Sequence, residues 1–292
     1  MLHIKKTGTQ FEAEGKKHTK DFIDSCWNDA NHKYENLIYD SSRLENLGSV
    51  LFEEQKDKNG NSFCCYCMRR LFLKDTEDKH KKNITYEHIV PHKIKSNEWQ
   101  SYKAHYLKFS NLNNKHITVC FEGELTNAQK KVKITGMPYP HFVSYHNLVA
   151  SCNGATFEDK TLVNSHCCNN NRQERFVMPI YLSPNLVNGI SYTSKGELDY
   201  DDSVYDCSWF DKKHLNLTNA WITLVRRIWC KISKSGYTDI DVEMARNDKN
   251  LRQNIIDDVD SNNEISSWVD NDIAWNLFSE YNWFYNYYKA RP

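Results

Sequence analysis

The sequence predicts an α+β protein in which a small stranded centre, flanked by cysteines, sits in a mainly helical chain. Three observations predict it. Apolar residues recur at spacings of three and four in several segments, the mark of helices with one buried face. One short stretch, Ile84-Thr85-Tyr86-Glu87-His88-Ile89-Val90, is rich in β-branched and aromatic residues and reads as a strand stopped by Pro91. Two crowded cysteine clusters, at 64–67 and 167–168, lie on either side of that stretch.

Taken in order, residues 1–43 are polar and weakly patterned, and we expect an N-terminal arm or short helical lead-in. From Ser41 to Lys56, Leu44, Leu47, Val50 and Leu51 mark one face of a helix, and Lys58-Asn59-Gly60-Asn61 is a turn signal that ends it. The charged run Lys74 to Asn83 is expected as a hairpin loop leading into the strand. Residues 93–141 form a long insert with one strand-like run, His116 to Phe121. Order resumes over Tyr145 to Ser151, followed by Cys152-Asn153-Gly154, and the second cysteine cluster lies within Ser165 to Arg175. Pro179 to Asp206 reads as extended or loop structure with a turn at Ser194-Lys195-Gly196. Beyond it, Trp221, Leu224, Val225, Ile228 and Ile232 predict a helix over about 217–234, and a helical, aromatic segment covers about 264–288. Aromatics at helical spacing are expected to pack a core. Residues 44–178 are thus expected to hold the chemistry, and 179–292 to form a mainly helical C-terminal region.

Composition narrows the function classes. The chain has 292 residues, 39% hydrophobic and 26% charged, as a globular protein does. It contains no apolar run long enough for a transmembrane helix, and Met1 to Lys6 lacks the apolar stretch of a secretory signal, so a cytoplasmic setting is expected. In a reducing compartment ten cysteines do not read as a disulfide framework. Cys26, Cys120, Cys207 and Cys230 are scattered and read as small core filler. The net charge of zero is not that of a free-standing nucleic-acid binder, but the charge is uneven. Residues 236–292 hold 11 acids and 5 bases, whereas 1–235 hold 33 bases and 27 acids, so a mildly basic body could meet phosphate on one face.

Cys64 and Cys67 form a Cys-x-x-Cys pair, the spacing at which two thiolates of one turn reach a single tetrahedral ion. Cys152 and Cys168 are the best further ligands for a structural zinc, with Cys167 or His166 as substitutes for the last. Between the clusters, Glu87-His88 suits phosphodiester hydrolysis: the carboxylate can help hold a hard divalent cation, and a neutral imidazole can take a proton from the attacking water. Consecutive strand residues face opposite ways, so the pair needs a bend, which Pro91 could supply. Arg172 and Arg175, just after the second cluster, could neutralise a scissile phosphate.

Taken together, Cys64-Cys65-Tyr66-Cys67, Glu87-His88-Ile89-Val90-Pro91, Asn147-Leu148, Cys152 and Cys168-Asn169-Asn170-Asn171-Arg172 resemble the zinc-stapled HNH endonucleases. With Leu51-Phe52-Glu53-Glu54-Gln55 and Asn147 to Gly154 added, the chain looks more narrowly like the PtuB component of Septu and retron-associated anti-phage systems. The resemblance covers roughly residues 44–175. It implies a ββα-metal core with a zinc knuckle, His88 as general base, and Glu87 and Asn169 as ligands of a catalytic Mg²⁺ or Mn²⁺. It further implies that Asn147 holds the loop bearing His88 by side-chain hydrogen bonds. Because Asn169 would directly follow the last knuckle ligand, Cys168 is preferred over Cys167. Nucleic acid, DNA or RNA, is the implied substrate and a PtuA-like ATPase the implied partner. Two departures stand out: a long insert separates His88 from Asn147, and 15 residues separate Cys152 from Cys168 where the family has two. The competing reading is a zinc-stabilised module that binds nucleic acid or protein without cutting.

Overall fold

A computed structural model describes residues 1–77, 80–92, 125–132, 141–157, 166–172, 175, 177–205 and 214–291. The strand-like run 116–121, Cys120 and Cys207 lie outside them. The architecture is α+β. Ten α-helices are described: α1 (Gln10–Ser25), α2 (Glu45–Glu53), α3 (Asn127–Lys131), α4 (Cys168–Arg172), α5 (Pro184–Asn188), α6 (Ala220–Lys234), α7 (Asp239–Met244), α8 (Lys249–Val259), α9 (Asp272–Ser279) and α10 (Trp283–Lys289). The strands form three antiparallel pairs: β1 (Trp27–Asn28) with β2 (Lys33–Tyr34), β3 (Ile84–His88) with β4 (Leu148–Cys152), and β5 (Ser191–Tyr192) with β6 (Leu198–Asp199). Among the described residues no helix is long and apolar enough to cross a membrane.

The β3–β4 pair is the centre. Its register sets Ile84 opposite Cys152 and His88 opposite Leu148. Thr85 and Ser151 link the strands a second time by a hydroxyl–hydroxyl bond of 2.8 Å. Two strands alone are marginal in water, and Gln55 supplies part of a third. Its buried amide accepts from Ala150 N at 2.8 Å and donates to Ala150 O at 2.9 Å, closing the outer edge of β4 as a neighbouring strand would.

The lead-in is no loose arm. α1 buries Gly15, Thr19, Phe22 and Ile23, a stripe at helical spacing, against the 3₁₀ turn Tyr145–Asn147 and α2. The helical alternative is the one realised, and its pattern is weak because half of that stripe is glycine and threonine. A Cβ at Gly15 would stand 2.2 Å from the Tyr145 ring, so only glycine permits the approach. The expected strand over 84–90 ends at His88, two residues early. The expected loop of 179–206 contains α5 and the β5–β6 hairpin, whose turn needs the positive φ of Gly196. The aromatic segment is broken into α9 and α10, and Trp268, Trp275, Phe278, Tyr281, Phe284, Tyr287 and Tyr288 are all buried in the core, as packing residues should be. Cys26 and Cys230 are buried too.

The C-terminal helices are tied to the cysteine-bearing loops by buried charge. Glu280, at the α9–α10 break, accepts from Arg69 Nε at 2.5 Å and from Asn83 Nδ2 at 3.2 Å, while its carbonyl accepts from Arg70 N at 2.7 Å. Arg69 in turn donates to the Asn153 side chain at 3.0 Å. Removing one member leaves the other charge buried and unpaired, so Glu280→Ala is expected to cost about 3–5 kcal/mol in denaturant unfolding. A change below about 1 kcal/mol would show that the pair is not buried in solution.

Candidate active site and metal centre

The four sulfurs of Cys64, Cys67, Cys152 and Cys168 lie within 4.8 Å of one another, all fully buried. Cys67 and Cys152 are 3.6 Å apart and Cys64 and Cys168 3.9 Å. Four thiolates at about 2.3 Å from one tetrahedral ion would sit about 3.8 Å apart, so the group has the dimensions of a metal centre. Local backbone builds it. Met68, just after the Cys-x-x-Cys, and Cys168 both adopt positive φ, 63° and 54°, which turns each cysteine-bearing segment sharply. Gly154 lets the second segment return. A Cβ there would stand 2.0 Å from the Cys167 carbonyl, and Cys167 N bonds Gly154 O at 3.0 Å. The 15-residue opening between Cys152 and Cys168 is thereby closed at its base. Cys167 Sγ lies 3.5 Å from Cys168 Sγ but outside the group of four, and Cys65, also buried, is outside it as well.

Directly beyond this centre, Asn147 is fully buried at the start of β4. Its amide oxygen accepts from Val90 N at 2.7 Å, and its nitrogen donates to Val90 O at 3.0 Å and His141 O at 3.1 Å. It therefore fixes two segments at once: the loop after β3, and the turn His141–Val143. The second of these carries the Phe142 carbonyl, which lies 2.9 Å from His88 Nε2. A carbonyl can only accept, so Nε2 carries the proton and Nδ1 keeps its lone pair. Burial holds the His88 imidazole down, at about 3, and hence neutral at physiological pH. Replacing Asn147 with leucine would strand three buried backbone groups. We expect a loss of about 2–4 kcal/mol in unfolding free energy, the range for several unmade buried hydrogen bonds, and a loss within 0.5 kcal/mol would refute the clamp.

Glu87 and His88 part ways, as alternation along a strand requires. His88 meets the Tyr39 ring edge-on, with centroids 4.7 Å apart, and stacks on His92 at 5.5 Å. Glu87 is buried. Its Oε1 accepts from His88 N at 3.0 Å and pairs with the Arg172 guanidinium, whereas its Oε2 is buried with no hydrogen-bond partner. Burial pushes the Glu87 carboxyl up to about 7, against the pull of Arg172.

Arg172 is a correction. Expected on the surface to meet nucleic acid, it is 1% exposed. It is spent on Glu87, on the carbonyls of His88 and Ile89, and on Tyr66 Oη at 3.2 Å. One turn of α4 carries Cys168 into the four-cysteine group and Arg172 under β3, so the arginine belongs to the core. Arg175, by contrast, is exposed, its guanidinium donating to the Asn171 carbonyl at 3.2 Å. Asn169 is half-buried on α4 and lines a pocket at the open edge of β3, with Tyr39, Thr85 and Tyr86 in the same wall. His146 turns away from Asn147, its Nε2 lying 2.9 Å from Glu12 Oε1.

Sequence reasoning missed Gln55, Arg172's burial and Tyr39. Tyr39 gave no signal, because it sits in a polar stretch without periodicity. Comparison with known protein families, with curated proteins and with solved structures gives no match to this chain.

Proposed function

We propose that this chain is a metal-dependent HNH-type endonuclease, hydrolysing phosphodiester bonds of nucleic acid. The observation that carries the proposal is the clamp of Asn147 on the loop after His88, which presents a neutral imidazole with Nδ1 available while its Nε2 donates to the Phe142 carbonyl. That is the state a general base needs. His88 Nδ1 takes the proton of the attacking water. Glu87, through its unpartnered Oε2, and Asn169 are the residues that would hold a catalytic Mg²⁺ or Mn²⁺. When bound, such an ion stabilises the charge that builds on the phosphate and the departing oxygen. An amide and a carboxylate are hard oxygen donors, which suits those cations. Arg175, exposed just after α4, is the residue that would meet the phosphate backbone. The four thiolates suit a zinc ion that ties β4, α4 and the 64–67 turn together and takes no part in bond breaking.

The assignment to anti-phage defence, with a PtuA-like ATPase as partner, rests on the sequence resemblance. A tagged chain that recovers no ATPase from its native cells would remove that part alone.

The Glu87–Arg172 pair favours a second reading, a zinc-stabilised binding module, because the carboxylate already has a counter-charge. Plasmid DNA and total RNA incubated with the purified chain, with and without Mg²⁺ or Mn²⁺, separate the two. The nuclease reading expects cleavage that chelation abolishes. Retention of nucleic acid with no cleavage under any divalent cation supports the module.

A further inference from the structure

Tyr39 and Tyr86 stand in the wall of a cavity of about 350 Å³ at the open edge of β3, beside the His88 ring that Tyr39 touches. That volume is at the small end of ligand pockets, which run from about 300 Å³ to 1,000 Å³. It suits one monomeric group and no duplex. Apart from Ile84 the rest of the wall is polar, with Ser41 from the 3₁₀ turn before α2, Glu45 from the start of α2, Asn169 from α4, and Lys82 from the loop before β3. One acid and one base leave the lining without net charge, so a phosphate by itself is a poor occupant. Aromatic surface, hydrogen-bonding edge and a single outlying cation instead match the three parts of a nucleotide: a base to stack, its polar edge, and its phosphate.

We propose that this cavity receives one unpaired nucleobase of the substrate strand, next to the bond that His88 serves, and that Glu45 selects among bases. The proposal rests on the nuclease reading for its substrate class. A carboxylate accepts hydrogen bonds, so Glu45 favours a base that offers an exocyclic amino group, which cytosine, adenine and guanine all do. Thymine and uracil set carbonyl oxygens against it and are disfavoured. Tyr39 supplies the stacking surface. Because Tyr39 and Ser41 precede α2, the segment before the cysteine-bearing core forms one side of the substrate cleft.

The test measures binding apart from cleavage. The full chain carrying His88→Ala is titrated, by fluorescence anisotropy, with single-stranded oligomers of cytosine, adenine or thymine (uracil in RNA), each as DNA and as RNA, and with a duplex of the same length. Single strands are expected to bind at least about tenfold more tightly than duplex, with the thymine and uracil oligomers weakest. Adding Glu45→Gln should erase the difference between bases, since an amide both donates and accepts. Adding Tyr39→Ala should weaken all oligomers by about tenfold, a stacking effect, and Tyr39→Phe should restore it, which a misfolded chain would not do. Equal affinity for duplex and single strand, or an unchanged order of bases in the Glu45→Gln chain, overturns the proposal. If the parent chain cleaves but the base order does not respond to Glu45→Gln, the pocket assignment fails and the nuclease reading stands. If the base order responds and no divalent cation supports cleavage, the nuclease reading fails and the pocket stands.

Discussion

Replacing Cys64 with serine is expected to empty the metal centre and unfold the middle of the chain. The four sulfurs are fully buried, and burial penalises their charged form heavily. An ion that satisfies all four offsets that penalty, and structural zinc contributes about 10–16 kcal/mol at such centres, more than the whole stability of an ordinary domain. A serine hydroxyl is a far poorer ligand for a soft site. The variant should therefore lose its metal by elemental analysis, lose its cooperative melting transition, and accumulate as aggregate. Cys168→Ser should behave alike. Cys167→Ser should keep full metal content, because its sulfur lies outside the group of four. A Cys64→Ser chain with one bound metal ion and the parent's melting temperature would dispose of the centre. Metal loss on Cys167→Ser would move the fourth ligand by one residue.

The second large effect is on chemistry. His88→Ala should reduce phosphodiester cleavage by about 10²–10⁴-fold, the range a positioned general base contributes, while the metal content of the cysteine centre stays at the parent's level. The fold should tolerate the change, because His88 is half-buried and its one strong bond is to the Phe142 carbonyl at the rim. Steady-state nicking of plasmid DNA, or cleavage of total RNA, measured beside the metal analysis, checks both halves. A His88→Ala chain that cuts as fast as the parent would remove the imidazole from the mechanism.

Local signals placed the centre and missed what supports it. The Cys-x-x-Cys spacing, the β-branched run at 84–88 and the cysteine at 152 each announce themselves within a few residues, and the structure gathers Cys64, Cys67, Cys152 and Cys168 into one group. Asn147 was legible only through resemblance, since an asparagine alone says nothing about which backbone it clamps. Arg172 was misread because an arginine after a cysteine cluster looks like surface charge. Its partner Glu87 lies 85 residues away in the chain, and nothing in the local sequence shows the pairing. Glu280 is 211 residues from Arg69 and was invisible for the same reason. The helix α1 was obscured by a glycine and a threonine on its buried face, and α7 and α8 by the polar residues that surround their few apolar contacts.

The bond between Arg69 and Glu280 has a consequence for synthesis. Arg69 leaves the ribosome early, two residues after Cys67, yet the carboxylate that neutralises it follows 211 residues later. Until then the nascent chain carries an uncompensated cation where its core must close. A truncated translation product ending before Glu280 would lack that partner and is expected to be a substrate for proteolysis.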